Sequence, residues 1–168
     1  AQSFWNETYS LNFLMPQWVK SHWPKYVEGC QRGGRPADPA NWRVAMLVFV
    51  ADDDKKARDY VMAPKSPYRN YYHSLVTKIM KAGRGEAFKT SREVPDSAVT
   101  VDSVVDKLVI WGSPQTVTEK LLAFREEVGD FGTLLYAGKD WLDRDLGRRS
   151  MVLLAEKVLP AVNAAIGG

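Results

Sequence analysis

The stretch that most constrains the fold is residues 108–138, which has the pattern of a strand, a helix and a second strand. Leu108–Trp111 is a short apolar run, and Ser113–Pro114 is typical of a helix N-terminus, where a serine oxygen accepts a free backbone N–H. Apolar residues then recur at helical spacing up to Gly129, a residue type that favours a helix C-terminus. Residues 132–137 are apolar on both faces, which predicts a covered strand. The stretch therefore predicts a β-α-β unit with parallel strands.

The first half of the chain predicts two further strand-helix pairs. A short strand is predicted near Ser10–Leu14, followed by a helix over Pro16–Cys30 that Pro24 should kink or break. Trp42–Ala51 is almost continuously apolar and predicts the strongest strand of this half.

Three aspartates, Asp52–Asp54, follow that strand and suit the start of a helix running to about Met62. A metal site would need converging ligands from elsewhere, and no such cluster is visible in the sequence. We therefore predict helix capping here and no metal site.

The segment between the second and third strands is long. It predicts a helix through Tyr72 and Met80, then a polar, cationic segment, Lys81–Ser97, and a short helix near residues 99–106. Lys81–Ser97 is either a mobile lid or an ordinary solvated connection. The last predicted helix runs from Leu146 to about Ala165, is bent by a proline, and buries Met151, Leu154, Val158 and Val162.

The element order predicts one α/β domain with about four parallel strands, each followed by a helix, and a long insertion between the second and third strands. Such a pattern belongs to an open α/β layer or to a barrel. In both, ligands collect at the carboxyl ends of the strands. Those ends are predicted at Ser10–Asn12, Asp52–Asp53, Trp111–Ser113 and Gly138–Trp141.

Composition excludes several classes of protein. The 168 residues are 45% apolar and 26% charged, and 23 cations against 20 anions are interspersed rather than clustered, which argues against nucleic-acid binding. No apolar run is long enough to cross a membrane, and no signal-like N-terminus is visible. With a single cysteine, Cys30, the chain suits a reducing compartment, and we expect a cytoplasmic protein.

No catalytic motif identifies a reaction, and no catalytic residue is predicted. His22 and His73 are better read as packed or surface residues than as bases. Trp111, at a predicted strand end, is a candidate to face a flat ring, although most of the six tryptophans should belong to the core. A small-molecule binding domain of the open flavodoxin-like type remains an alternative, which the strand order would distinguish.

The last ~130 residues resemble the C-terminal half of the luciferase-like, flavin-dependent monooxygenases, whose barrel has about 250 residues. The order and spacing of several short motifs carry this resemblance. They are Gly34–Pro39, Trp42–Val44, Val48–Asp52 with Ala57, Trp111–Pro114 with Val117, Gly129–Leu134, and Arg148–Met151 with Glu156.

The resemblance implies half of a TIM-like (β/α)8 barrel, namely strands five to eight. It implies reduced FMN, supplied by a separate flavin reductase, and insertion of one oxygen atom from O2 into a small organic substrate; a deazaflavin is the alternative cofactor. Ser10 and Asn12 would correspond to the region that holds the flavin phosphate, near a helix N-terminus. Lys81–Ser97 would correspond to the mobile lid, with Arg84 and Arg92 as its cations of interest.

Nothing in the 168 residues corresponds to the first four barrel strands. The resemblance therefore implies either a fragment of a longer enzyme, inactive alone, or a half-barrel that is completed by another chain. A lone half-barrel would expose two strand edges, which predicts self-association into an oligomer. The alternative function is a non-catalytic half-barrel that serves as an assembly module.

Overall fold

The computed structural model describes residues 14–139 and 142–167, together with the backbone of 8–10. The strands are β1 (Thr8–Ser10), β2 (Trp42–Val50), β3 (Val109–Gly112) and β4 (Thr133–Ala137). The helices are α1 (Pro16–Lys20), α2 (His22–Arg32), α3 (Asp54–Val61), α4 (Pro67–Lys81), α5 (Val101–Leu108), α6 (Pro114–Val128), α7 (Arg144–Leu153) and α8 (Leu159–Ala165). Short 3₁₀ turns span Pro39–Asn41, Gly85–Phe88 and Asp96–Ala98, and a π turn, Leu154–Val158, joins α7 to α8. The chain is an α/β fold with a parallel sheet.

β2 is the centre of the sheet, and each of the other described strands pairs with it in parallel. β1 pairs with its first residues, β4 with Arg43–Leu47, and β3 with Leu47–Val50. Because β1 and β4 both pair with Arg43 and Val44, these two strands lie on opposite edges of β2.

The predicted β-α-β unit is confirmed in its elements but not as a pair of neighbouring strands. β3 and β4 are parallel and joined by α6, yet each pairs with β2 rather than with the other. β2 has nine residues, which is long enough for its two halves to pair with strands of four and five residues.

Helices cover both faces of the sheet. Successive side chains of β2 point to opposite faces, so they contribute alternately to two cores. Leu47 and Phe49 belong to a core formed with α3, α4 and α5. Val44, Met46 and Val48 belong to a second core formed with α6 and the π turn. The four residues predicted for the buried face of α6 are all buried, namely Val117, Leu121, Phe124 and Val128.

β4 is less covered than its sequence predicts. Its five residues are half-buried or exposed, and Leu135 is 38% exposed. Leu135 pairs with the half-buried Ala45, so both side chains lie on the face that carries Leu47. The insertion helices cover that face beside Leu47 and Phe49 but leave the Leu135 end open. The prediction of a strand covered on both faces is therefore wrong for β4.

The predicted helix ends of α6 are confirmed. The Ser113 hydroxyl accepts the N–H of Thr116 at 3.3 Å, and Pro114 is the first helical residue. Gly129 follows the helix with φ of 106°, a conformation that residues with a Cβ rarely adopt. The capping predicted for the aspartates is also confirmed, since Asp53 caps α3 by accepting the N–H of Lys56 at 2.8 Å.

The prediction that Pro24 kinks or breaks the first helix is confirmed as a break. The predicted first helix breaks at Ser21, between α1 and α2, and Pro24 lies in the first turn of α2, where no intrahelical N–H is needed. Near Pro160 the helix contains the π turn, closed by the N–H of Leu159 on the carbonyl of Leu154. Met151 is 51% exposed, so its predicted burial is wrong. None of the helices in the described ranges is long and apolar enough to span a membrane.

Candidate functional site

The carboxyl ends of β2 and β3 are joined by side chains as well as by the sheet. The Ala51 N–H bonds to the Gly112 carbonyl at 3.0 Å. The Asp54 carboxylate accepts the Ser113 N–H at 2.6 Å and the Thr116 hydroxyl at 3.0 Å. The Ser113 N–H, and then the Thr116 hydroxyl, lower the pKa of Asp54. An ionised Asp54 therefore fixes the start of α3 to the start of α6.

Helix α7 is fastened to the same end of β2 by two consecutive residues. The fully buried Ser150 hydroxyl accepts the Val50 N–H at 2.9 Å. Arg149 donates to one oxygen of Asp52 through Nε at 3.0 Å and Nη2 at 2.6 Å. These hydrogen bonds lower the pKa of Asp52, so the pair is ionised at neutral pH.

We expect Ser150→Ala to lower the free energy of unfolding by about 1–3 kcal/mol, because the buried Val50 N–H would lose its acceptor. Urea denaturation measures this change. Ser91→Ala, at an exposed position, is the control and should stay within about 0.5 kcal/mol of the wild type. Equal effects of the two substitutions would contradict the role assigned to Ser150.

Between α3 and α7, at the end of β2, lies a cavity of about 310 Å³ that we call the carboxyl-edge cleft. Its position is that of ligand sites in parallel α/β proteins. Its lining combines apolar and charged side chains, namely Phe49, Val50, Ala51, Asp52, Lys56, Asp59, Tyr60, Leu146 and Arg149. It is the candidate site for a small organic molecule.

Trp111 lies in β3 opposite Phe49 and is 8% exposed. The ammonium group of Lys120 lies 4.2 Å from the centre of its ring and donates to its carbonyl at 2.8 Å. Burial lowers the pKa of Lys120. Within the part of the chain that the structure describes, the buried indole Nε1 of Trp111 has no hydrogen-bond partner.

The predicted lid segment lies against α1. Gln17 donates to the Lys89 carbonyl at 2.7 Å, and Trp18 donates to the Glu86 carbonyl at 3.3 Å. Gly85 and Phe88 within the segment are buried. The segment is therefore packed on the body of the protein in this conformation.

Two cavities lie beside these contacts, between the lid segment and the first helices. One, of about 510 Å³, is lined by Arg84, Trp18 and the half-buried His22, whose pKa is lowered by burial. The other, of about 190 Å³, is lined by Arg92 and Gln17 among others. Arg84 and Arg92 are both exposed and line different cavities. His73 is exposed on α4.

The remaining predicted site residues are placed only in part. Ser10 is the last residue of β1, and its backbone pairs with Val44. Asn12 and Trp141 fall outside the described residues. Arg149 and Ser150 were not predicted as site residues. Their only sequence signal is membership of the motif Arg148–Met151 that contributes to the family resemblance. No group of acidic, histidine or cysteine side chains in the described ranges could hold a metal ion.

Residues 11–130 match the family model of the luciferase-like monooxygenases, and the chain belongs to that family. It is 32% identical to 4-hydroxyprotoasukamycin monooxygenase of Streptomyces nodosus subsp. asukaensis, over 89% of this chain and 38% of the relative. It is 29% identical to 3,6-diketocamphane 1,6-monooxygenase of Pseudomonas putida, over 86% of this chain and 38% of that enzyme.

The fold is similar to that of the oxygenating constituent of 3,6-diketocamphane monooxygenase from Pseudomonas putida, a type II Baeyer-Villiger monooxygenase solved with FMN. The TM-score is 0.76 at 28% identity, over 89% of this chain and 41% of the other. An F420-dependent secondary alcohol dehydrogenase shares the fold, with a TM-score of 0.56 at 18% identity over 89% of this chain and 41% of that one. The chain thus spans about two fifths of the length of its relatives.

Proposed function

We propose that the chain is the C-terminal, half-barrel portion of a flavin-dependent monooxygenase that oxygenates a small organic substrate. Family membership supports the reaction class, and the share of each relative that is covered supports a portion rather than a whole enzyme. The similarity to an FMN-bound oxygenase favours FMN, while the F420-dependent relative keeps a deazaflavin as the alternative. Family membership also argues against the flavodoxin-like alternative.

The observation that carries the cofactor proposal is the buried indole N–H of Trp111. A buried donor without a partner costs about 1–3 kcal/mol, so it is a natural contact for an acceptor atom of a bound ring. Lys120 covers the indole ring, so Trp111 would serve as a hydrogen-bond donor rather than as a stacking surface. Ser10 and Asn12 are the proposed phosphate contacts, and Arg84 and Arg92 the proposed lid cations.

Reduced FMN, delivered by a reductase, supplies two electrons so that one oxygen atom of O2 enters the substrate and the other leaves as water. The protein's share is binding, orientation and the exclusion of water. In this chain the Asp54 and Ser150 contacts hold the strand ends rigid, and the lid segment would close the site.

We expect Trp111→Phe to raise the dissociation constant for FMN by about three- to tenfold, because it deletes the N–H but keeps an aromatic ring under Lys120. Quenching of flavin fluorescence measures the binding. Trp23→Phe, in the core on the opposite face of the sheet, is the matched control and should leave the constant unchanged. An unaltered constant for Trp111→Phe would remove Trp111 from the cofactor site.

The exposed Leu135 on β4 favours a second candidate function, an assembly module that associates with another copy through strand edges. Among the described strands, β4 pairs only with β2, so its other edge is open. Light scattering at high protein concentration distinguishes this function. A dimer or larger assembly that Leu135→Lys dissociates would support it, and a wild-type monomer would exclude it.

A further inference from the structure

We propose that Lys120 is a positioning residue for Trp111: its ammonium group fixes the orientation of the indole ring and makes the indole N–H a stronger hydrogen-bond donor. The effect on the indole follows from the geometry of these two residues, whereas its consequence for FMN rests on the proposed function. Lys120 acts through Trp111 and needs no contact of its own with the cofactor.

The side chain of Lys120 holds Trp111 at two points. Its Nζ lies 4.2 Å from the centre of the indole ring and donates to the Trp111 carbonyl at 2.8 Å. A buried indole is usually oriented by a hydrogen bond from its own N–H. Among the described residues, the Nε1 of Trp111 has no acceptor. The ammonium group therefore supplies an orienting contact that the indole N–H does not make.

The place of Lys120 on α6 is unusual for a lysine. It follows the buried Val117 by three residues and precedes the buried Phe124 by four, so it lies on the side of the helix that faces the sheet. Lys120 is half-buried, and burial of a charge is unfavourable unless other charges balance it. Burial lowers the pKa of Lys120, while the carboxylates of Asp106 on α5 and Asp54 on α3 oppose that change. Negative charge on two neighbouring helices thus favours a cation beside the indole.

A cation over the face of an indole changes the polarity of its N–H. The ammonium group is attracted to the negative face of the ring and draws electron density away from the N–H, which becomes more positive. Trp111 is 8% exposed, so little water screens this effect. A more positive donor makes a stronger hydrogen bond. Lys120 therefore strengthens the donor for which the cofactor proposal needs an acceptor atom.

The first test is the indole region of the ¹H–¹⁵N NMR spectrum, where Trp111→Phe identifies the Nε1–H peak of Trp111. We expect Lys120→Met, which removes the charge but keeps an unbranched side chain, to move this peak to lower ¹H frequency. Lys120→Arg keeps the charge and should leave the peak near its wild-type position. Lys107→Met removes an exposed lysine of α5 and is the matched control, which should not move the peak. An unmoved Trp111 peak in Lys120→Met would overturn the proposal.

The second test is a double-mutant cycle on FMN binding, followed by flavin fluorescence. Lys120→Met should raise the dissociation constant about threefold in the wild type. It should leave the constant unchanged in Trp111→Phe, because that variant lacks the N–H through which Lys120 acts. Equal effects in the two backgrounds would overturn the route through Trp111. Failure of the wild type to bind FMN would contradict the proposed function, whereas the NMR peak would still decide the role of Lys120.

Discussion

Replacing Gly132 by alanine is expected to lower the free energy of unfolding by about 3 kcal/mol or more. A Cβ at this position would lie 2.0 Å from the Ala40 carbonyl oxygen and 2.5 Å from its carbon. Ala40 cannot retreat easily, because its N–H is bonded to Asp38 at 2.9 Å within a 3₁₀ turn. Gly132 is held as well, since its N–H donates to the Trp42 carbonyl at 3.0 Å. The added Cβ would therefore clash with main-chain atoms of Ala40, just before the start of β4, where the chain lies beside β2.

Urea denaturation of Gly132→Ala measures the loss, and Gly29→Ala is the matched control. A Cβ at Gly29 would meet nothing within 4 Å, and Gly29 lies inside α2. Alanine there should raise the free energy of unfolding by up to about 1 kcal/mol through helix propensity. The same chemical change should thus have opposite signs at the two positions. A Gly132→Ala protein as stable as the wild type would show that the approach of Gly132 to Ala40 is not required.

Gly112→Ala is expected to lower the free energy of unfolding by about 2–4 kcal/mol and to loosen the carboxyl edge of the sheet. Gly112 has φ of 153°, and an added Cβ would lie 2.7 Å from the Thr116 methyl group and 2.9 Å from Asp54 Oδ1. The clash therefore falls on the hydrogen bonds that join α3 to α6.

A second substitution separates the clash from backbone strain. Thr116→Ser removes the methyl group but keeps the hydroxyl that donates to Asp54, so adding it to Gly112→Ala should restore part of the lost stability. Non-additivity of this kind is expected for residues in direct contact. Full additivity of the two substitutions in urea denaturation would show that the Thr116 methyl group does not cause the loss.

Much of the fold could be predicted because local signals and tertiary structure agree in this chain. Ser113, Pro114 and Gly129 mark the ends of α6, and the apolar run at residues 42–51 marks β2, as the structure confirms. These signals depend on backbone hydrogen bonding and side-chain periodicity over a few residues. Such information is present in any short window of sequence.

The order of the strands and the exposure of individual side chains could not be predicted. Pairing of both β3 and β4 with β2 depends on contacts between residues far apart in sequence, and so does the exposure of Leu135. The predicted burial of Met151 fails because the buried face of α7 runs through Gly147, Ser150 and Leu153, and Met151 lies to one side of it. Ser150 is polar, and its burial follows only from its bond to Val50, which is 100 residues away along the chain.

The central claim, that this portion of a luciferase-like monooxygenase carries a flavin site, is tested most directly by titrating the chain with FMN and following flavin fluorescence. We predict saturable quenching with a dissociation constant in the micromolar range. Riboflavin, which lacks the phosphate, should bind more weakly if Ser10 and Asn12 hold that group. The absence of any quenching up to millimolar FMN would contradict the claim and show that these residues alone form no cofactor site.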